Sequence, residues 1–149
     1  MAILLNIETS TTNCSVSLSK KGETLVLKED YSANYSHAES LHVFIDDLMK
    51  SSQMKLSDID AVAVSKGPGS YTGLRIGVSA AKGLCYAMDK PLISVSTLES
   101  LSHQVKISDG IIVPMLDARR MEIYSAVFNA NHQLINEIQA QILEKQVFL

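Results

Sequence analysis

A shortage of cysteine, the absence of a basic surplus and the lack of any long apolar run set the first limits on this 149-residue chain. Its two cysteines, Cys14 and Cys85, stand in apolar surroundings. They show neither metal-ligand spacing nor a disulfide framework, so a reducing compartment is the simpler expectation. Lys and Arg number 13 against 16 Asp and Glu, a net charge of -3. A stand-alone nucleic-acid binder would carry a basic face, so RNA is expected to be met only through a partner. No segment reaches the roughly 18 unbroken apolar residues of a membrane span. The opening MAILLNIETS has no basic stretch before its short apolar run, unlike a secretory signal. A cytoplasmic chain is expected, with 46% hydrophobic and 19% charged residues suiting one globular unit or one domain plus part of another.

What the chain does have is concentrated between Lys66 and Met88, KGPGSYTGLRIGVSAAKGLCYAM. The apolar run Ala61–Val64 leads into Gly67-Pro68-Gly69 and then a long apolar segment, which reads as strand, glycine turn and helix. Gly69, Gly73 and Gly77 recur every four residues and Ala81 continues the row, while Ser79, Gly83 and Ala87 make a second row. Each glycine inside a helix costs about 1 kcal/mol. Rows four apart are the ridges by which helices pack, so close approach of another backbone would offset the loss. An ordinary buried helix with tolerated glycines explains the spacing equally well. Arg75, Ser79, Lys82 and Tyr86 form the one polar stripe.

Ahead of this block, Ala2–Ile7, Cys14–Leu18 and Thr24–Leu27 read as three strands of an antiparallel meander. Leu41, Phe44, Ile45, Leu48 and Met49 then fall at helical spacing, with Ser36 and Glu39 as a capping box. Beyond the block, Leu92–Val95 reads as a strand, and Ser96 or Thr97 caps a short helix that fades near His103. After Asp109-Gly110 the pattern restarts with strands at Ile111–Leu116 and Glu122–Phe128, joined by a turn at Asp117–Arg120, and a further strand or extended segment at Leu134–Ile142. The order is β-β-β-α-β-α-β-α followed by the start of a second copy. The expected domains are 1–106 and an incomplete 107–149, so a fragment of a longer protein is expected.

LLNIETSTTNCSVSL, KGPGSYTGLRIGVSAAKGL, PLISVSTLESL and DARRMEIY together resemble the bacterial TsaB (YeaZ-type) proteins, which are also filed with glycoprotease-like M22 peptidases. The resemblance implies an α/β chain with the actin-like ATPase (ASKHA, ribonuclease H-like) fold. It also implies a role in making threonylcarbamoyladenosine at adenosine 37 of tRNA, as a non-catalytic subunit beside a TsaD-type catalytic paralogue and a TsaE-type ATPase. A homodimer is expected in isolation. The interface is expected on the glycine-ridged helix, at Ser70, Gly73, Leu74, Gly77, Val78, Ala80, Ala81 and Leu84. A leucine at Gly73 or Gly77 should then break association and spare the fold.

Thr9, Ser10 and Thr11 occupy the place where actin-like ATPases hold phosphate, and backbone amides beside hydroxyls can bind an anion. A solvated turn rich in turn-forming residues reads as well. Gly67 and Gly69 lead into a helix N-terminus, which favours anions, but the Gly-Lys-Ser/Thr of a phosphate loop does not follow. No cofactor is expected on this chain alone, with ATP or ADP placed at a complex interface. Where the catalytic paralogue carries two histidines four apart, this chain has Thr97 and Leu101, which cannot hold a metal. His103 has no histidine partner in sequence, and His37 and His42 point about 140° apart on a helix. No metal site and no catalytic residue are expected. The alternative is an enzyme in its own right, an ATP-dependent phosphotransferase or a glycoprotease-like metallopeptidase.

Overall fold

The structure, a computed structural model, describes residues 1–31 and 37–143. The chain divides into two compact units. One comprises Met1–Lys66 with Ser70–Val95, and the other comprises Gly67–Gly69 with the chain from Ser96 onward.

The first unit is built on β1 (Ile3–Glu8), β2 (Cys14–Lys20), β3 (Glu23–Asp30), α1 (His37–Ser52), β4 (Ala61–Ser65), α2 (Tyr71–Met88) and β5 (Leu92–Val95). Its five strands lie in the order β3-β2-β1-β4-β5, with β1 to β3 antiparallel and β4 and β5 parallel to β1 and to each other. Period-two alternation puts Leu5, Ile7, Cys14, Val16 and Leu18 on one face, all buried. That face carries α1, through Leu41, Ile45, Leu48 and Met49, and α2 through Ala81 and Cys85. β4 is buried along its whole length, in keeping with its unbroken apolar run Ala61–Val64 in the interior of the sheet. Both cysteines are free and buried. The cap expected at Ser36 lies outside the described residues.

The second unit contains α3 (Thr97–Ser102), β6 (Ile111–Ile112), β7 (Met115–Arg119), β8 (Glu122–Asn129) and β9 (Leu134–Ile142). β6, β7 and β9 all pair antiparallel with β8. Leu98 of α3 packs with Ile112, Ala126 and Phe128 to make a small core. The single strand expected over Ile111–Leu116 is two pieces, because buried Pro114 has no N–H to give to a ladder. The turn also falls later than Asp117–Arg120. β7 runs on to Arg119, which faces Glu122, leaving Arg120 and Met121 as a two-residue loop.

In its type I′ form such a loop has positive φ at both central residues and prefers Asn-Gly there. Arg119, Arg120 and Met121 have φ of 68°, 53° and 62°. Asp117 Oδ1 props the approach by accepting the Arg119 N–H at 2.7 Å. Side chains with a Cβ are strained in this region. The double substitution Arg120→Asn with Met121→Gly is therefore expected to stabilise the chain by about 1 kcal/mol, read as a higher urea midpoint at unchanged slope. A lower midpoint would show that the two side chains contribute contacts that outweigh the strain.

Candidate functional site

The first candidate region is the turn from Glu8 to Asn13, which meets the start of α2 inside the first unit. Ser70 caps α2 by accepting the Gly73 N–H at 3.3 Å. Its own N–H donates to Ser10 O at 2.6 Å. Thr9 is 1% exposed and its hydroxyl donates to Gly73 O at 2.7 Å. The Glu8 carboxylate takes the Ser10 N–H at 2.7 Å with one oxygen and the Ser65 hydroxyl with the other. The groups that would grip an anion, the Thr9 hydroxyl, the Ser10 amide and the Ser70 amide, are thus already engaged within the unit. Thr11 is also engaged. The Ser10 Oγ is buried without a hydrogen-bond partner. Gly67 and Gly69 are grouped with the second unit, apart from Thr9, Ser10 and Thr11, and Gly67 O accepts the Thr97 N–H at 3.0 Å.

Helix α2 presents its residues in two ways. Gly73, Gly77, Ala81 and Cys85 face inward and are buried. The close approach that their spacing signals is made by the chain itself: a Cβ built on Gly77 would lie 2.2 Å from Thr9 Oγ1. Of the residues expected at an interface, Gly73, Gly77 and Ala81 are therefore covered within the unit. Ser70, Leu74, Val78, Ala80 and Leu84 are half-buried. The expectation that leucine at Gly77 would spare the fold is corrected by this geometry, since no side chain fits there without displacing Thr9.

The second row, Ser79, Gly83 and Ala87, faces solvent. A Cβ on Gly83 would meet nothing within 4 Å. With Ile76, Ala80, Leu84 and the exposed His42 of α1, this row lines a shallow, mostly apolar groove. Ile76, Gly83, Ala87 and His42 were not singled out as partner residues from sequence. The second row itself was visible there. Which row turns inward depends on the reach of Thr9 from a distant turn, and no helical periodicity carries that information.

In the second unit, Thr97 is buried and Leu101 is 38% exposed on the same helix. The His103 ring stacks on that of His132, centroids 4.1 Å apart, and the His132 Nδ1 lies 3.5 Å from Ser102 Oγ. His103 thus has a histidine neighbour that lies far along the sequence. Among the described residues no three His, Cys, Asp or Glu side chains gather as metal ligands. None of the described helices is long and apolar enough to cross a membrane.

A model of the family described as "TsaD: tRNA N6-adenosine threonylcarbamoyltransferase" matches residues 31–148. The chain is 32% identical to "tRNA threonylcarbamoyladenosine biosynthesis protein TsaB" of Bacillus subtilis (strain 168), over 91% of this chain and 58% of that protein. It is 41% identical to a tRNA N6-adenosine threonylcarbamoyltransferase of Jannaschia sp. (strain CCS1), over 54% of this chain and 23% of that one. A crystal structure from Pseudomonas aeruginosa, described as an uncharacterized protein with similarity to peptidase YEAZ, superposes with a TM-score of 0.86 at 29% identity, covering 97% of this chain and 68% of that one. The chain spans just over half the length of the first TsaB relatives it matches. The fold is the expected actin-like, ribonuclease H-like one.

Two glycines of one helix give opposite expectations for the isolated chain. Gly77→Ala should destabilise it by about 2–4 kcal/mol, through overpacking and disruption of the buried Thr9 hydrogen bond. Gly83→Ala should raise stability by about 0.5–1 kcal/mol, because helix propensity improves and nothing is hit. Thermal melts of both variants check the pair; similar losses at both positions would contradict the assignment of inner and outer rows.

Proposed function

The chain belongs to the TsaD family, on its TsaB (YeaZ-type) side, and from that premise we propose that it is a non-catalytic subunit in threonylcarbamoyladenosine formation on tRNA. In this reading it binds a TsaD-type catalytic relative through the outer face of α2 and holds that relative in its active shape. Chemistry at adenosine 37 of the tRNA belongs to the relative. A TsaE-type ATPase joins the assembly, with ATP or ADP at the interface between subunits. In isolation, a second copy of the chain takes the relative's place. The cytoplasm is the proposed location.

One observation carries the partner reading. Gly83 sits in the middle of an 18-residue helix and faces solvent, and among the described residues a Cβ there would meet nothing within 4 Å. A glycine there costs about 1 kcal/mol relative to alanine. A helix backbone from a partner, approaching over Gly83 between Ser79 and Ala87, would use the missing Cβ as ridge packing does. Ile76, Ala80 and Leu84 supply apolar area beside it, and stable association draws its energy from such burial.

The test is light scattering of the chain mixed with a TsaD-type relative. Wild type should form a one-to-one complex. Gly83→Leu, whose Cβ meets nothing within 4 Å in the free chain, should weaken association at least tenfold while the melting temperature holds. Unchanged association in that variant would remove the outer row of α2 from the interface.

A further inference from the structure

Helix α2 has another exposed face beside the groove. At 100° per residue, Tyr71, Lys82, Arg75 and Tyr86 fall within an arc of about 60°, while Ile76, Gly83 and Ala87 centre about 110° further round. Tyr71 is 71% and Tyr86 93% exposed. The Arg75 guanidinium lies over the Tyr71 ring, 4.6 Å from its centroid. Neither Arg75 nor Lys82 makes an ion pair among the described residues. The helix contains no Asp or Glu at all, in a chain whose net charge is -3. By contrast, α1 carries Glu39, Asp46 and Asp47. Cationic charge and exposed aromatic rings are therefore collected on one strip about 22 Å long between its two tyrosines.

We infer that this strip, Tyr71-Arg75-Lys82-Tyr86, is a contact surface for RNA, with the two cations on phosphates and the tyrosine rings on unstacked bases. The inference rests on the proposed role in tRNA modification and adds to it a direct contact between this chain and the nucleic acid. Local charge decides the point, because phosphate neutralisation works over a few ångströms of surface and is screened beyond a Debye length. A chain that is acidic overall can still offer a basic strip. Two cations set between a ring at either end match surfaces that follow single-stranded nucleic acid, where bases stack on aromatic side chains and charges follow the backbone. A protein partner fits it less well: between the tyrosines the strip has no aliphatic side chain to form a dry interface centre, whereas the adjoining groove does.

Fluorescence anisotropy with a labelled tRNA transcript, at about 50 mM salt where phosphate contacts count most, tests this on the chain itself. Wild type should bind. The double variant Arg75→Glu with Lys82→Glu should bind at least tenfold more weakly, and the variant Arg75→Gln with Lys82→Gln should reduce the slope of log affinity against log salt by about 1.4, the value for two single-strand phosphate contacts. Tyr86→Leu should weaken binding about tenfold with the salt slope unchanged, a separation that general loss of structure would not produce. Failure of wild type to bind, or binding insensitive to all of these changes, overturns the inference and leaves the subunit reading intact. Loss of association with the TsaD-type relative in the charge variants, at unchanged RNA affinity, also overturns it and assigns the strip to the protein interface. Failure of the wild-type chain to associate with that relative bears on the subunit reading alone.

Discussion

The contact between Thr9 and α2 governs the first unit. A threonine at the end of β1 gives its hydroxyl proton to Gly73 O and lies where the Cβ of residue 77 would be. This brings the helix closer to the turn than any side chain at Gly77 would permit. It explains glycine at 77, and it fixes the rotation of the whole helix. Once Gly73, Gly77 and Ala81 face inward, Ser79, Gly83 and Ala87 must face out, and the cationic strip must lie beside them. The same contact removes the Thr9 hydroxyl from the set of groups available to an anion. One buried hydrogen bond thus decides which surface is offered and which turn is closed.

Much of the fold was legible because each element carried its own periodic signal. The meander at the start, the buried run of β4, the long helix and the restart after Gly110 all follow from alternation, helical spacing and turn residues. The sequence reading failed where a signal was weak or depended on a distant residue. Pro114 broke a strand that apolar content alone ran straight through. The β7–β8 loop lacks the Asn-Gly that would mark it, so sequence alone places the turn over residues 117–120, ahead of Met121. The inward row of α2 could not be chosen from the helix sequence, because Thr9 makes that choice from more than sixty residues away. Likewise His103 looked solitary until the fold brought His132 onto it.

The division of α2 into three faces connects the structure to its proposed role. The inner face holds the helix on its own sheet. The small-residue face is open to a helix of another chain, and the Tyr and cation face remains in solvent. Each has a distinct chemistry: close backbone contact, apolar ridge packing, and charge with exposed rings. A subunit that supports a catalytic relative needs only the second of these to associate. The third would let the same rigid helix register RNA against the assembly. Both outer faces rest on the position of the helix that Thr9 sets.

Hydrogen–deuterium exchange of the chain, alone and in complex with a TsaD-type relative, measures the central claim most directly. Backbone amides open to the groups that cover them, so the surface that a partner covers gains protection. The account predicts slowed exchange over the outer rows of α2, around residues 76–87, and over the stretch of α1 near His42. It predicts little change in the turn at residues 8–13, where the Ser10 and Asn13 amides are already engaged within the chain. Protection confined to the second unit, with α2 unchanged, would contradict it.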